Sequence, residues 1–302
     1  MIQAKKIIGH QKQINFLKKI IKNDLTNQAY LFSGPEKVGK FTIAQEWAKA
    51  IILNQKFLAQ KISSQKIISD LLILKPTSLE KKQKKIEQKI GVDEIREILK
   101  ELTFYPSQGK YRVLIIDQAH LLTIQAQNAL LKTIEEPNNT SFIILVTHQE
   151  KKILATIKSR CQIINFSLVS TQEMLQNNYE KEIVYFSMGR PGIAQEIKSS
   201  QIKRAKYQNF LVDLKNIFSA NFSINQRFDL AEKLAKNEIK TKEMLDFWIW
   251  ILWLKAHKEK SLLKKYFFYT KITQLNSLLE KISNSHANLR LQLENLFLNF
   301  SK

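Results

Sequence analysis

Apolar residues in the first half of the chain follow two alternating patterns. Ala29-Tyr30-Leu31-Phe32, Val113-Leu114-Ile115-Ile116 and Phe142-Ile143-Ile144-Leu145-Val146 are short unbroken runs, the signature of strands buried on both faces. Stripes of helical period lie between them. Ile43, Ala44, Trp47, Ala48 and Ile51 share one face. Val92, Ile95, Ile98, Leu99 and Leu102 share another, which ends before Pro106. Ala126, Ala129, Leu130, Thr133 and Ile134 form a third, with Thr123 placed to cap it and Pro137 just beyond its end. Residues 162–166 read as one more strand. This alternation predicts an α/β domain, a parallel sheet with helices on both faces.

Beyond Phe166 the strand signal fades. Residues 167–205 read as a small helical unit with a turn at Gly189-Arg190-Pro191-Gly192, and from 206 onward every period is helical. One helix carries Phe247, Trp248, Ile249, Trp250, Ile251, Leu252 and Trp253. It is apolar nearly all round and is expected to be buried in a bundle or at a subunit interface. The last helix carries Leu289, Leu293, Leu296, Phe297 and Phe300. The pattern therefore divides the chain into 1–166, 167–205 and 206–302. Residues 56–89 interrupt the first part. Their run Lys81-Lys82-Gln83-Lys84-Lys85 marks a solvated face, and Leu71-Leu72-Ile73-Leu74 a candidate strand.

At 302 residues and 44% hydrophobic content, the chain can bury a substantial core. The formal charge of +21 permits contact with nucleic acid. It comes mostly from dispersed lysines, beside abundant Ile and Asn, so it does not by itself define a DNA-binding protein. Cys161 is the one cysteine, which excludes an internal disulfide and a cysteine-based zinc site and suits a reducing cytoplasm. The start of the chain lacks the apolar stretch of a secretory leader, and its longest apolar run falls far short of the ~20 residues of a membrane span. The expected location is cytoplasmic. Histidines 10, 120, 148, 257 and 286 stand at no metal-ligand spacing with Cys or acids, and no Ser/His/Asp arrangement has a nucleophile elbow.

Gly34-Pro35-Glu36-Lys37-Val38-Gly39-Lys40 matches a Walker A phosphate loop up to its lysine, and it lies between a strand and a helix as that motif requires. Gly34 and Gly39 allow the backbone to close around phosphates, and Lys40 would reach the outer ones. The Ser or Thr that holds magnesium is replaced by Phe41, with Thr42 one place late. Either nucleotide still binds here, as ATP or ADP with Mg, or the loop survives as a scaffold. Asp117, at the end of a buried strand, stands at the Walker B position, but the next residue is Gln118, which can orient water and is no effective base. Arg160, within Ser159-Arg160-Cys161, is a planar, permanently charged fork suited to phosphate oxygens.

Taken in order, these motifs resemble the δ′ subunit of the bacterial DNA polymerase III clamp loader, of the AAA+ family. The similar stretches are Ile8-Gly9-His10-Gln11, the phosphate loop, Gly91-Val92-Asp93-Glu94-Ile95-Arg96-Glu97-Ile98 and Asp117-Gln118-Ala119-His120. Asn128-Ala129-Leu130-Leu131-Lys132-Thr133-Ile134-Glu135-Glu136-Pro137 and Ala155-Thr156-Ile157-Lys158-Ser159-Arg160-Cys161 complete the first part, and Ala287-Asn288-Leu289-Arg290-Leu291-Gln292-Leu293-Glu294 resembles the family's last helix. The resemblance implies an AAA+ core, a helical lid and a helical collar that joins five subunits into a ring. Its partners would be the γ/τ ATPase subunits, δ, the sliding clamp and primed DNA, within the DNA-directed DNA polymerase III holoenzyme. Arg160 would be an arginine finger acting on a neighbour's ATP, Ser159 would shape its turn, Cys161 would pack beneath it, and Thr147 would hold the sensor 1 position. Related ATPase subunits carry Thr, Glu and a lid Arg where this chain has Phe41, Gln118 and Gly192. These departures favour δ′ over the motor subunit, or another active AAA+ ATPase, and predict no hydrolysis by the chain alone. Many relatives also carry a four-cysteine zinc module; residues 55–75 occupy its place without cysteine, so no zinc is expected.

Overall fold

The computed structural model describes residues 7–22, 27–54, 57, 68–76, 78–81, 84–87, 89–219, 221–284 and 288–300. The chain forms two compact units, one of Met1–Glu180 with Gly189–Gly192, the other of Lys181–Met188 with Ile193–Lys302. Much of the lysine-rich stretch 56–89, the first six residues, His286 and Ala287 lie outside the described residues.

The first unit contains α1 (Gln11–Lys22), β1 (Ala29–Ser33), α2 (Lys40–Ile52), β2 (Leu71–Leu74), β3 (Ser78–Lys81), β4 (Lys84–Glu87), α3 (Val92–Leu102), β5 (Arg112–Ile116), α4 (Ile124–Glu135), β6 (Ser141–Thr147), α5 (Ala155–Lys158), β7 (Gln162–Asn165) and α6 (Thr171–Gln176). Five strands make a parallel sheet in the order β2-β5-β6-β1-β7. Val113, Leu114, Ile115 and Ile116 are all fully buried because successive side chains feed opposite faces. Val113 and Ile115 join Tyr30, Phe32, Phe142 and Ile144 against α1 and α2. Leu114 and Ile116 join Leu31, Ile143 and Leu145 against α3 and α4. Both faces are covered, as the unbroken apolar runs predict.

Local chemistry sets the boundaries. The Thr123 hydroxyl accepts from Ala126 N–H at 3.1 Å, as expected of the cap of α4. Glu94 at the third helical position returns to Gly91 N–H and opens α3. The pattern of β3 and β4 was not visible in the sequence. The two strands pair antiparallel within the stretch expected to be a solvated face, in a register that pairs Leu79 with Ile86 along the backbone.

The second unit is helical. Its elements are α7 (Lys181–Phe186), most of α8 (Pro191–Ser199), α9 (Gln201–Ile217), α10 (Ile224–Ala235), α11 (Glu238–Lys258), α12 (Leu262–Asn284) and α13 (Leu289–Asn299). Ser200, Ser223, Asn237 and Asn288 cap four of them with side-chain oxygens. Phe247, Trp248, Ile251 and Leu252 of α11 are buried, and Trp248 Nε1 donates to Phe210 O at 2.7 Å. The all-round burial expected of this stretch is incomplete: Ile249 and Trp250 are half-buried, and Trp253 is 40% exposed and stacked on Trp250. Two cations complete the carboxyl end of α13: Arg227 Nη1 donates to Phe297 O and Lys271 Nζ to Asn299 O, each at 2.7 Å. Phe297 O also accepts from Phe300 N–H at 3.4 Å, and both cations oppose the negative end of the helix. Among the described residues no helix is long and apolar enough to cross a membrane.

Candidate functional site

Parallel strands end together, so the residues that follow them gather at one edge of the sheet. Here the loop after β1, Asp117 after β5 and Thr147 at the end of β6 surround a cleft of about 250 Å³. Gly39, Lys40, Thr42, Asp117 and Thr147, all singled out from the sequence, line it, and so do Phe41 and Gln118. Gly34 starts the loop at φ 143°, with Phe166 O where a Cβ would stand, so only glycine fits there.

Most of the cleft's polar groups are held by neighbours. Lys40 is 6% exposed, and its ammonium donates to Gly34 O at 2.6 Å and Pro35 O at 2.5 Å. Burial pulls its pKa down to about 8, against the pull of Glu36 and Asp117. Burial raises the Asp117 carboxyl; the bond from Gln118 N–H and the charges of Lys75 and Lys40 oppose the shift. Gln118 adopts a left-handed conformation, φ 52°, and its Oε1 is buried without a hydrogen-bond partner. The Thr147 hydroxyl accepts from Gln149 N–H at 3.0 Å and lies 3.3 Å from His120 Nδ1. Burial brings His120 down to about 4, and His148, whose ring centre is 4.1 Å away, adds to the shift. Gly192 N–H donates to Lys37 O at 2.8 Å, and a Cβ at Gly192 would come within 2.9 Å of that oxygen. A side chain at 192 would therefore displace the phosphate loop.

Magnesium wants oxygen ligands in octahedral order. Phe41 supplies none where the Walker pattern has Ser or Thr, and the Lys75 ammonium lies 4.3 Å from the centre of the Phe41 ring. Among the described residues no group of three or more His, Cys, Asp and Glu side chains could hold a metal ion. The residues present do not fit a bound magnesium.

Ser159, Arg160 and Cys161 do not line the cleft; they form a turn after α5. Arg160 is 40% exposed. Its Nη2 meets Glu135 Oε1 at 2.8 Å, and its Nη1 donates to Thr156 O at 3.1 Å and to Ser159 Oγ at 3.4 Å. Cys161 is buried beneath the turn with Ile157, and burial pushes its thiol up to about 12. The buried Gln127 of α4 fixes the approach to this turn: its Oε1 accepts from Leu154 N–H at 2.9 Å and its Nε2 donates to Lys152 O at 3.1 Å. Helix α4 thus braces the segment at Gln127 and, two turns later, at Glu135.

Sequence reasoning gave Gln127 no role, and Glu135 appeared only inside a motif. Gln127 had a signal, since it stands three residues before Leu130 and seven before Ile134, on the apolar stripe. Glu135 meets Arg160 only through tertiary structure.

A covered parallel sheet with a phosphate loop between β1 and α2 and an aspartate ending β5 defines a P-loop ATPase-type domain. The profile of the family described as "DNA polymerase III, delta subunit" matches residues 9–170. DNA polymerase III subunit gamma of Buchnera aphidicola is 30% identical over 288 residues, 92% of this chain and 71% of that protein. This chain therefore belongs to the family of DNA polymerase III clamp-loader subunits. Subunit tau of Bacillus subtilis is 35% identical over 177 residues, 56% of this chain but 30% of that protein. Subunit delta′ of Pseudomonas aeruginosa is 30% identical over 141 residues, 44% of this chain and 41% of that protein. The chain thus spans well under half of the Bacillus relative.

Proposed function

We propose that this chain is a δ′-type clamp-loader subunit that acts on a neighbour's ATP through Arg160 and hydrolyses none itself. The observation that carries the reading is the contrast at Arg160: an exposed guanidinium on a braced turn, in a chain whose own cleft offers Phe41 and Gln118 in place of a metal ligand and a base. A finger supplied in trans neutralises transition-state charge and makes hydrolysis depend on subunit packing. In this reading Ser159 shapes the turn and Cys161 anchors it. Gly34, Gly39, Lys40, Thr42, Asp117 and Thr147 are the remains of a nucleotide site.

The reading assigns residues 1–166 to an AAA+ core, 167–205 to a lid and 206–302 to a collar for assembly with γ/τ and δ subunits, so that the complex loads a sliding clamp on primed DNA in the cytoplasm. A second reading, an ATP-hydrolysing motor subunit, is favoured by the gamma and tau names of two of the relatives. Phe41, Gln118 and the tight packing of Gly192 oppose it. ATP turnover by the purified full chain separates the two. No turnover above background, in wild type and in Lys40→Ala alike, is expected of δ′; clear turnover abolished by Lys40→Ala establishes the motor.

A further inference from the structure

Helices α12 and α13 pack together within the second unit. Leu275 and Leu278 turn one face of α12 inward. The opposite face carries Leu262, Tyr266, Tyr269, Thr273 and Ser277, which recur at helical spacing and are all exposed. Its first part is apolar: Leu262 is 81% and Tyr266 74% exposed, so large side chains stand in water. Its second part borders a groove of about 320 Å³, which α13 completes with Gln292, Asn295 and Asn299. Two polar deficits lie in the wall of that groove. The side-chain oxygens of Gln274 and Gln292 are buried without a hydrogen-bond partner. An unpaired buried acceptor is costly, and the packing that shields these two also keeps water from them. Helix α12 carries four lysines against one acid, Glu280, so the strip as a whole favours an acidic neighbour.

We propose, on the reading of residues 206–302 as a collar, that this face of α12 and the groove it shares with α13 receive a helix of an adjacent clamp-loader subunit. The strip specifies the chemistry of that helix. Large apolar side chains cover Leu262, Tyr266 and Tyr269, side-chain N–H donors reach Gln274 and Gln292, and acids lie beside the lysines. From Leu262 to Lys281 the strip is roughly 28 Å long, about five turns of helix. Turning each glutamine amide towards a donor in the groove supplies the bond that its oxygen lacks in the free chain. Phosphate oxygens only accept hydrogen bonds, so a nucleic-acid backbone drawn to the lysines leaves both deficits in place. The two parts of the strip act differently. The apolar part takes any helix with large apolar side chains, whereas the paired acceptors reject a helix without donors, which would leave them dry and unpaired. The glutamines thus select which subunit seats here, and the apolar residues set how tightly it is held.

The test is the affinity with which the fluorescently labelled full chain joins purified γ/τ and δ subunits in a reconstituted loader. The double variant Leu262→Glu, Tyr266→Glu is expected to join at least about tenfold more weakly and, both positions being exposed, to melt at the wild-type temperature. The double variant Gln274→Leu, Gln292→Leu is expected to join about fivefold more weakly, yet to melt at or above the wild-type temperature, because leucine removes the unpaired oxygens. Val212→Glu with Ile239→Glu, at exposed positions of α9 and α11, is expected to stay within about threefold of wild type. Wild-type affinity in either α12 variant overturns the proposal. So does a lowered melting temperature in the glutamine variant, which would make those amides internal supports of the fold. Loss in the Val212 and Ile239 variant with both α12 variants intact overturns the proposal and leaves the collar reading standing. A wild-type chain that joins no loader overturns both.

Discussion

The phosphate-loop cleft and the Ser159-Arg160-Cys161 turn belong to the same unit, yet they use their charges in opposite ways. In the cleft, most polar groups are held by neighbours, Lys40 by two loop carbonyls and Thr147 by Gln149 N–H and His120, with Gln118 Oε1 the exception. At the turn, Arg160 is backed by Glu135 and Thr156 while it stays 40% exposed. The cleft's lysine must break bonds to meet a phosphate, whereas the turn presents a cation already held in place. The proposed reading is thus of a P-loop fold that has lost its own chemistry and kept the part that serves a neighbour.

The largest effect that tests this contrast is on turnover. In a reconstituted loader, Arg160→Ala is expected to lower ATP turnover at least about a hundredfold while the ring still assembles. Arg160→Lys is expected not to restore it, because a point charge lacks the planar fork. A mild loss would place Arg160 among structural residues. Next in size is the brace: Gln127→Ala leaves Leu154 N–H and the carbonyls of Leu122 and Lys152 unpaired, and is expected to cost about 2 kcal/mol in urea unfolding. Unchanged stability would show that the segment before the turn is held otherwise.

The cleft makes the opposite prediction. Lys40 is charged and buried, so Lys40→Met is expected to stabilise the isolated chain by about 1 kcal/mol. Its pKa lies at about 8, below the ordinary 10.5, so the native state is the first to release the proton as pH rises. The penalty is therefore complete below pH 8 and is relieved between 8 and 10.5. The advantage of Lys40→Met in thermal melts should be full at pH 7 and shrink through that window. An advantage that grows with pH would reverse the assignment. The smallest effect belongs to the exposed Arg160–Glu135 pair: Glu135→Gln is expected to slow loader turnover about two- to fivefold, and to add nothing when Arg160 is already Ala.

The sequence carried these two regions unequally. Strands β5 and β6, the stripe of α3 and the Thr123 cap of α4 were legible because a covered parallel sheet leaves unbroken apolar runs and a helix start needs a particular side chain. The cleft was legible because its residues follow strands, and strand ends converge. The hairpin β3–β4 was not, because polar residues and lysines dominate its strands and leave no apolar run. Trp253 shows another limit: an all-apolar stretch does not reveal which residue will be left at the surface. The Arg160–Glu135 ion pair joins residues far apart in the chain, brought together only by the packing of α4 on α5, as only the register of β2 on β5 brings Leu74 O to Asp117 N–H.

The most direct measurement of the central claim is ATP turnover by two loaders, one rebuilt with Lys40→Met in this chain and one with Arg160→Ala. The first is expected to stay within about threefold of wild type, and the second to lose at least about a hundredfold. The reverse order, with Lys40→Met the crippling change and Arg160→Ala tolerated, would mean that this chain works through its own cleft and would contradict the account.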